Sequence, residues 1–244
     1  MARLGLDYPT AWGRQPPARL ARRILQGVFL APYVRIVSHL DVRGLENLRE
    51  TRTFILVANH TSNLDTPLVL SALPARVRER TVVAAAMDNF FMTTRKAFRT
   101  VLIFNAIPVD RHRVNRRSSQ LALELVESDW NLLIYPEGGR TPDGQLREFK
   151  GGAAYLAERA AAPVIPVYIH GAGALRGPKY AKAPQFVNAP NRLYGHVTIA
   201  FGEALRCGSD ENIRRFNTRI EDAVVELGRA VSGDPGYGIT RATD

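Results

Sequence analysis

After Gly44 the chain alternates short apolar runs with longer stretches that mix apolar and polar residues, as expected when buried strands alternate with helices. The runs predict strands at 37–42, 53–58, 81–86, 106–109, 131–135, 164–169 and 197–201. Between them the pattern predicts helices near 66–73, 90–102, 114–128 and 152–161. The clearest helix comes last, where Ile213, Phe216, Ile220, Val224, Leu227 and Val231 recur at steps of three and four and form a stripe suited to closing one side of a sheet. The expected fold is a single α/β domain over 44–231, with a central, mostly parallel or mixed sheet flanked by helices. An N-terminal helical, membrane-associating segment over 1–43 precedes it. Residues 232–244, rich in Gly, Pro and polar side chains, read as a flexible tail.

The N-terminal segment differs from the rest in charge. Residues 1–52 carry nine arginines, no lysine and four acids, a local +5, with Trp12, Phe29 and Tyr33 set among the arginines. That composition suits a helix lying on a membrane surface, and equally one packed on the protein's own core, because Pro16, Pro17 and Pro32 interrupt the periodicity that would decide. The apolar stretch from Ile24 to Val37 is broken by Gln26, Gly27, Pro32 and Arg35 and falls short of the ~20 clean apolar residues of a membrane span, so no transmembrane helix is expected. Arginines precede it and no small-residue cleavage site follows it, which argues against a signal peptide.

The whole chain of 244 residues has a formal charge of +10, which points to an anionic partner: nucleic acid, a membrane surface or phosphorylated substrates. Nucleic acid fits least. Aromatics make up 8% of the chain and do not interleave with the basic residues of 76–117, where ten Lys or Arg face three acids. Cys207, the single cysteine, excludes an internal disulfide or a multi-cysteine metal site and has no neighbouring histidine to activate it. No Walker loop or GxGxxG fingerprint calls for a nucleotide cofactor.

Candidate chemistry sits where apolar runs end. Asn59-His60-Thr61-Ser62-Asn63-Leu64-Asp65 follows the run 54–58, and open α/β sheets place ligands at the carboxyl ends of their strands. If Asp65 opens the next helix, its carboxylate can return to one imidazole nitrogen of His60 and leave the other as a base for a hydroxyl proton. The plainer alternative has Asp65 capping the helix that Thr66-Pro67 begins. Tyr135-Pro136-Glu137-Gly138-Gly139-Arg140 follows the run 132–134 and offers close backbone approach with an arginine fork for phosphate, or an ordinary glycine turn. Arg111 follows the run 107–109 in a basic stretch that reads largely as a solvated face, and Phe149-Lys150-Gly151-Gly152 opens a helix whose N-terminus suits phosphate, or is a plain αβ boundary.

In order and content these blocks resemble the glycerolipid acyltransferase family typified by lysophosphatidic acid acyltransferase. The resemblance spans roughly 44–202 and rests on the His-and-Asp block 59–65, Val109-Asp110-Arg111, Glu137-Gly138-Gly139-Arg140, Val164-Ile165-Pro166-Val167 and Phe149-Lys150. Gly139 departs from it, since the family usually has threonine there. The resemblance implies a 1-acyl-glycerol-3-phosphate O-acyltransferase-like enzyme of phospholipid biosynthesis, with His60 as general base and Asp65 orienting it. It also implies that Arg111, Glu137, Gly138, Gly139, Arg140 and Lys150 bind the phosphate-bearing acceptor. The acyl donor is then an acyl-CoA or acyl carrier protein thioester, used without metal or cofactor. The place of work is the cytoplasmic face of the cell membrane, as a peripheral or monotopic protein. The same chemistry on another lipid or sugar acceptor stays open.

Overall fold

The computed structural model describes residues 4–49, 52–112, 116–141, 146–175 and 194–240. After two short 3-10 turns (Gly5–Asp7 and Ala11–Arg14) comes a continuous helical rod: α1 (Pro16–Leu25), a single wide π turn (Gln26–Leu30) and α2 (Ala31–Val37). The π turn has a cause in the sequence. Pro32 has no N–H to give to the carbonyl four residues back, and widening the helix at that point makes room for its ring. The prolines therefore shape the rod without ending it.

Strand β1 (Ser38–Arg43) follows, then β2 (Ile55–Ala58), α3 (Asp65–Ala72), α4 (Ala75–Glu79), β3 (Thr81–Ala86), α5 (Met87–Phe90), α6 (Thr94–Phe104), β4 (Ala106–Val109), α7 (Arg116–Glu127) and β5 (Asn131–Ile134). The second half contains β6 (Leu146–Arg147), α8 (Gly152–Arg159), β7 (Val164–His170), β8 (Gly195–Phe201), α9 (Ile213–Ser232) and β9 (Ile239–Thr240). The helix expected over 90–102 is divided into α5 and α6, and Thr93 caps α6 by accepting from the Lys96 N–H.

Seven strands form one sheet in the order β1-β8-β7-β2-β5-β3-β4. The five from β7 to β4 are parallel to one another, while β8 and β1 run the other way, so the sheet is mixed, as expected. Leu56 and Ala58 face a layer built by α2, α3 and α6, and Ile55 and Val57 face a layer built by α7, α8 and α9. That two-sided cover explains why β2 reads as an unbroken apolar run rather than an alternating one. In α9 the predicted stripe buries Phe216, Ile220 and Val224 completely, each worth roughly 2 to 3 kcal/mol of burial.

Two features bear on function. The first is that α1 is packed with its polar side inward. Arg22 and Gln26 are buried and donate to the last-turn carbonyls of α6: Arg22 to Val101 and Leu102, Gln26 to Ile103, at 2.7 to 3.1 Å. A helix leaves its final carbonyls without internal partners, and these two side chains supply them. Outward, Leu20, Ile24, Val28, Phe29 and Ile36 are exposed, from 52% for Ile24 to 73% for Ile36.

The second is the chain end: residues 241–244 of the expected tail lie outside the described residues, while those before them pack on the domain. Residues after α9 turn back, Tyr237 is buried against Tyr168 and Gly228, and β9 pairs in parallel with β6 in register Arg147↔Thr240. Arg229 holds the return by donating to the Tyr237 carbonyl at 2.9 Å. An aromatic anchor and a two-residue ladder outweigh a Gly- and Pro-rich composition there.

Candidate active site

The parallel strands all end at one edge of the sheet, and His60, Asp65, Arg111 and the 137–140 turn follow the ends of β2, β4 and β5, while Lys150 precedes α8. Beyond β2, Asn59 ties itself to β7 through both side-chain atoms, donating to the Ile169 carbonyl at 3.0 Å and accepting the Ile169 N–H at 2.7 Å. This fixes where the chain leaves the sheet and points His60 out of it. The next residues make a tight turn into α3, with the Asp65 N–H donating to the Ser62 carbonyl at 3.2 Å.

Asp65 is wholly buried, and its carboxylate turns back toward the turn instead of capping α3, which has no side-chain cap. One oxygen, Oδ2, accepts the N–H groups of Thr61 at 2.7 Å and Ser62 at 2.8 Å and lies 2.7 Å from His60 Nδ1. With Nδ1–H donating to the carboxylate, the free lone pair of the imidazole is on Nε2. The ring is further fixed by Tyr135, stacked on it at 4.3 Å between centroids. The Tyr135 hydroxyl shares a hydrogen bond with Thr66, and burial, with a further contribution from the charge of Asp65, pushes its pKa well up, so it stays a phenol.

The loop after β5 wraps this dyad. Thr141 donates to the His60 carbonyl from both its N–H, at 2.9 Å, and its hydroxyl, at 3.2 Å. Arg140, immediately before it, is half-buried and makes no hydrogen bond or ion pair among the described residues. Gly138 adopts φ +71, and a Cβ there would lie 2.6 Å from Lys150 Nζ, so a glycine serves both backbone and neighbour. A Cβ at Gly139 would meet open space, so the departure from threonine costs no packing. The Lys150 ammonium donates to the Arg111 carbonyl, and the Lys150 backbone N–H donates to the Pro136 carbonyl at 3.0 Å. The structure thus brings Gly138, Lys150 and the backbone of Arg111 together.

Two expected ligand contacts differ from expectation. The Arg111 guanidinium does not stand free: its Nε and Nη2 donate to Asp88 Oδ2 at 3.0 and 2.6 Å, so any anion it takes is shared with a carboxylate. Burial raises the Asp88 pKa, but the hydrogen bonds and charge of Arg111, helped by His112, outweigh it and leave it below the ordinary value. Glu137 points inward, where its oxygens accept the N–H groups of His60 at 2.6 Å and Arg147 at 3.1 Å. Only 7% of it is exposed, and each of its oxygens already accepts a backbone N–H. Burial pushes its carboxyl up to about 7 against the opposing pull of those two N–H bonds.

Asp88, Asn59, Tyr135 and Thr141 are site residues that the sequence pattern does not single out. The last three lie inside or beside the His-and-Asp and Glu-Gly-Gly-Arg motifs, and Asp88 carries only the signal of being one of three acids in a strongly basic stretch. Among the described residues, no three His, Cys, Asp or Glu side chains are grouped for a metal ion, and no helix is long and apolar enough to cross a membrane.

A three-layer α/β domain with an imidazole–carboxylate dyad at the carboxyl edge of its sheet and a basic fringe around it is a class defined by geometry. Within that class the chain belongs to the acyltransferase family, whose sequence profile matches residues 39–170. It is 29% identical over 170 residues to the human protein 1-acyl-sn-glycerol-3-phosphate acyltransferase beta, covering 68% of this chain and 55% of that protein. To the 1-acyl-sn-glycerol-3-phosphate acyltransferase of Pseudomonas aeruginosa it is 28% identical over 203 residues, covering 79% and 72%. The crystal structure of the 1-acyl-sn-glycerophosphate acyltransferase PlsC from Thermotoga maritima shares the fold, with a TM-score of 0.67 at 21% identity over 92% of this chain and 88% of that one. The chain spans about half the length of the first curated relatives it matches.

Proposed function

We propose that the protein transfers a fatty acyl group from an acyl-CoA or acyl carrier protein thioester to the free hydroxyl of a lysophosphatidic acid-like acceptor at a membrane surface. The observation that carries this reading is the dyad: His60 Nδ1 sits 2.7 Å from a buried carboxylate, and Nε2 is free to take a proton. In the reaction, Nε2 accepts the hydroxyl proton as the alcohol oxygen attacks the thioester carbonyl. The tetrahedral adduct then expels the thiolate, which takes the proton back from the imidazolium, so the enzyme ends as it began. No covalent enzyme intermediate, metal or organic cofactor is needed for this sequence. Lys150, Arg140 and Gly138 lie along the same loop system and suit the acceptor phosphate, with Arg111 contributing through whatever charge Asp88 leaves it. The names of the relatives support the acceptor class.

The outward apolar face of α1 and α2 supports attachment to lipid. A helix that turns arginine and glutamine inward and leucine, isoleucine and phenylalanine outward is arranged for an apolar medium, and Arg19, Arg23 and Arg35 on the same rod suit anionic headgroups. We place the protein on the cytoplasmic face of the cell membrane.

The deciding experiment incubates the protein with a long-chain acyl-CoA and lysophosphatidic acid and follows both CoA release and lipid product. The parent should form product, His60→Ala should be slower by about 100-fold or more, and Arg140→Ala should chiefly raise the acceptor KM, by roughly tenfold or more for one charge-assisted contact. Product from His60→Ala at the parent rate would overturn the assignment of the base.

A further inference from the structure

We propose that Glu137 is a positioning residue for the catalytic base and does not bind the acceptor: it fixes the backbone of His60 from beneath the site. The inference rests on the reading of His60 as base. Three residues of one loop grip His60 at three different points. Tyr135 covers the imidazole face, Glu137 takes the backbone N–H at 2.6 Å, and Thr141 donates twice to the backbone carbonyl. Asp65 holds the fourth point, Nδ1. With its N–H, carbonyl, ring face and Nδ1 all fixed, His60 is left with Nε2 as its uncommitted group.

The carboxylate of Glu137 is used up in this arrangement. Its second oxygen accepts the Arg147 N–H at 3.1 Å, so the side chain is a strut between the base and β6. Charge argues the same way, since a carboxylate set to meet a phosphate would repel it, whereas one aimed at two backbone N–H groups is attracted by both. Gly138, next to it in the chain, and Arg140, three residues on, are more exposed, while Glu137 is buried toward the core. Burial disfavours its charge, and the two backbone N–H groups it holds oppose that penalty.

Two variants test this, Glu137→Gln, which keeps the shape but turns an amide NH2 toward one of the two N–H donors, and Glu137→Asp, which keeps the charge but reaches only one of them. Both should lower kcat by about 10- to 100-fold, as expected when a reacting group is displaced by a fraction of an ångström, with acceptor KM within about threefold of the parent. Hydrogen exchange at the peptide covering 59–64 should quicken in both, while exchange in α9 and β7 stays as in the parent. An acceptor KM raised tenfold or more with kcat unchanged would mean that Glu137 touches the acceptor and would overturn the proposal. So would unchanged exchange at 59–64 in a folded variant. The exchange measurement needs no substrate, so it decides the positioning role even if the parent fails to acylate lysophosphatidic acid, an outcome that would instead count against the proposed reaction.

Discussion

Burying a carboxylate is costly unless donors surround it, and the site contains two that meet this demand differently. Asp65 gathers three donors on one oxygen, two of them from residues within four positions. Glu137 has one N–H on each oxygen, and burial holds its pKa near 7. The consequence for stability has a definite sign. The folded chain binds the Glu137 proton more tightly than the unfolded chain does, so this group's contribution is fully present below the unfolded value of 4.5 and is lost as pH rises through about 7. Urea unfolding of the parent and Glu137→Gln between pH 5 and 8 should show the parent losing ground to the variant up to about pH 7 and holding level above it. The size should be on the order of 3 kcal/mol at most, and a difference independent of pH would contradict the shift. The same locality explains what could be read. His60 and Asp65 are five residues apart and close their contact through a turn, so their pairing was visible in the sequence as one of two alternatives. The Glu137 contact to His60 joins residues 77 apart, and the Arg111 contact to Asp88 joins residues 23 apart, and neither leaves a periodic or spacing signal.

Among the elements, the one with least precedent in its own sequence pattern is α1. Its packing on α6 depends on polar contacts: Arg22, 4% exposed, donates to the carbonyls of Gly13, Val101 and Leu102. Burial lowers its pKa to about 10, which still leaves it charged at neutral pH. Arg22→Ala would remove the side-chain donor from the Gly13 and Leu102 carbonyls, leaving Val101 only the Asn105 N–H, and should cost about 3 kcal/mol in urea unfolding, whereas Leu20→Ser on the opposite face should cost almost nothing. Equal losses from both would mean that the helix is not inverted. The sequence left membrane and core packing equally open for this segment; in the structure one face docks on α6, and the other exposes Leu20, Ile24, Val28 and Phe29. The seven sheet strands were read to within three residues at each end because most are apolar runs covered on one or both sides. The pair β6 and β9 was not, since two residues carry no period, and the reversed direction of β1 and β8 depends on pairing that no local pattern records.

At the scale of the molecule, the +10 charge and the bare helix face act together. Exposed charges are screened beyond roughly 8 to 10 Å at physiological salt, while apolar burial is indifferent to it. Flotation with vesicles of mixed neutral and anionic phospholipid should therefore show strong binding that weakens as salt rises but does not vanish. Replacing Leu20, Ile24 and Phe29 together by Ser should lower the partition at least tenfold at every salt concentration, since each side chain is worth roughly 1.5 to 3 kcal/mol on full burial. Binding that salt abolishes entirely would assign attachment to charge alone.

The return of the chain end onto β6 has a practical side. Thr240 stands opposite Arg147, whose N–H holds Glu137, and Glu137 in turn holds His60. A stop codon placed just after α9, a protease nick near Pro235, or a bulky affinity tag fused directly behind Thr240 would each disturb the outermost link of that series. Choices made at the cloning bench for convenience would then be read in the assay as changes in turnover.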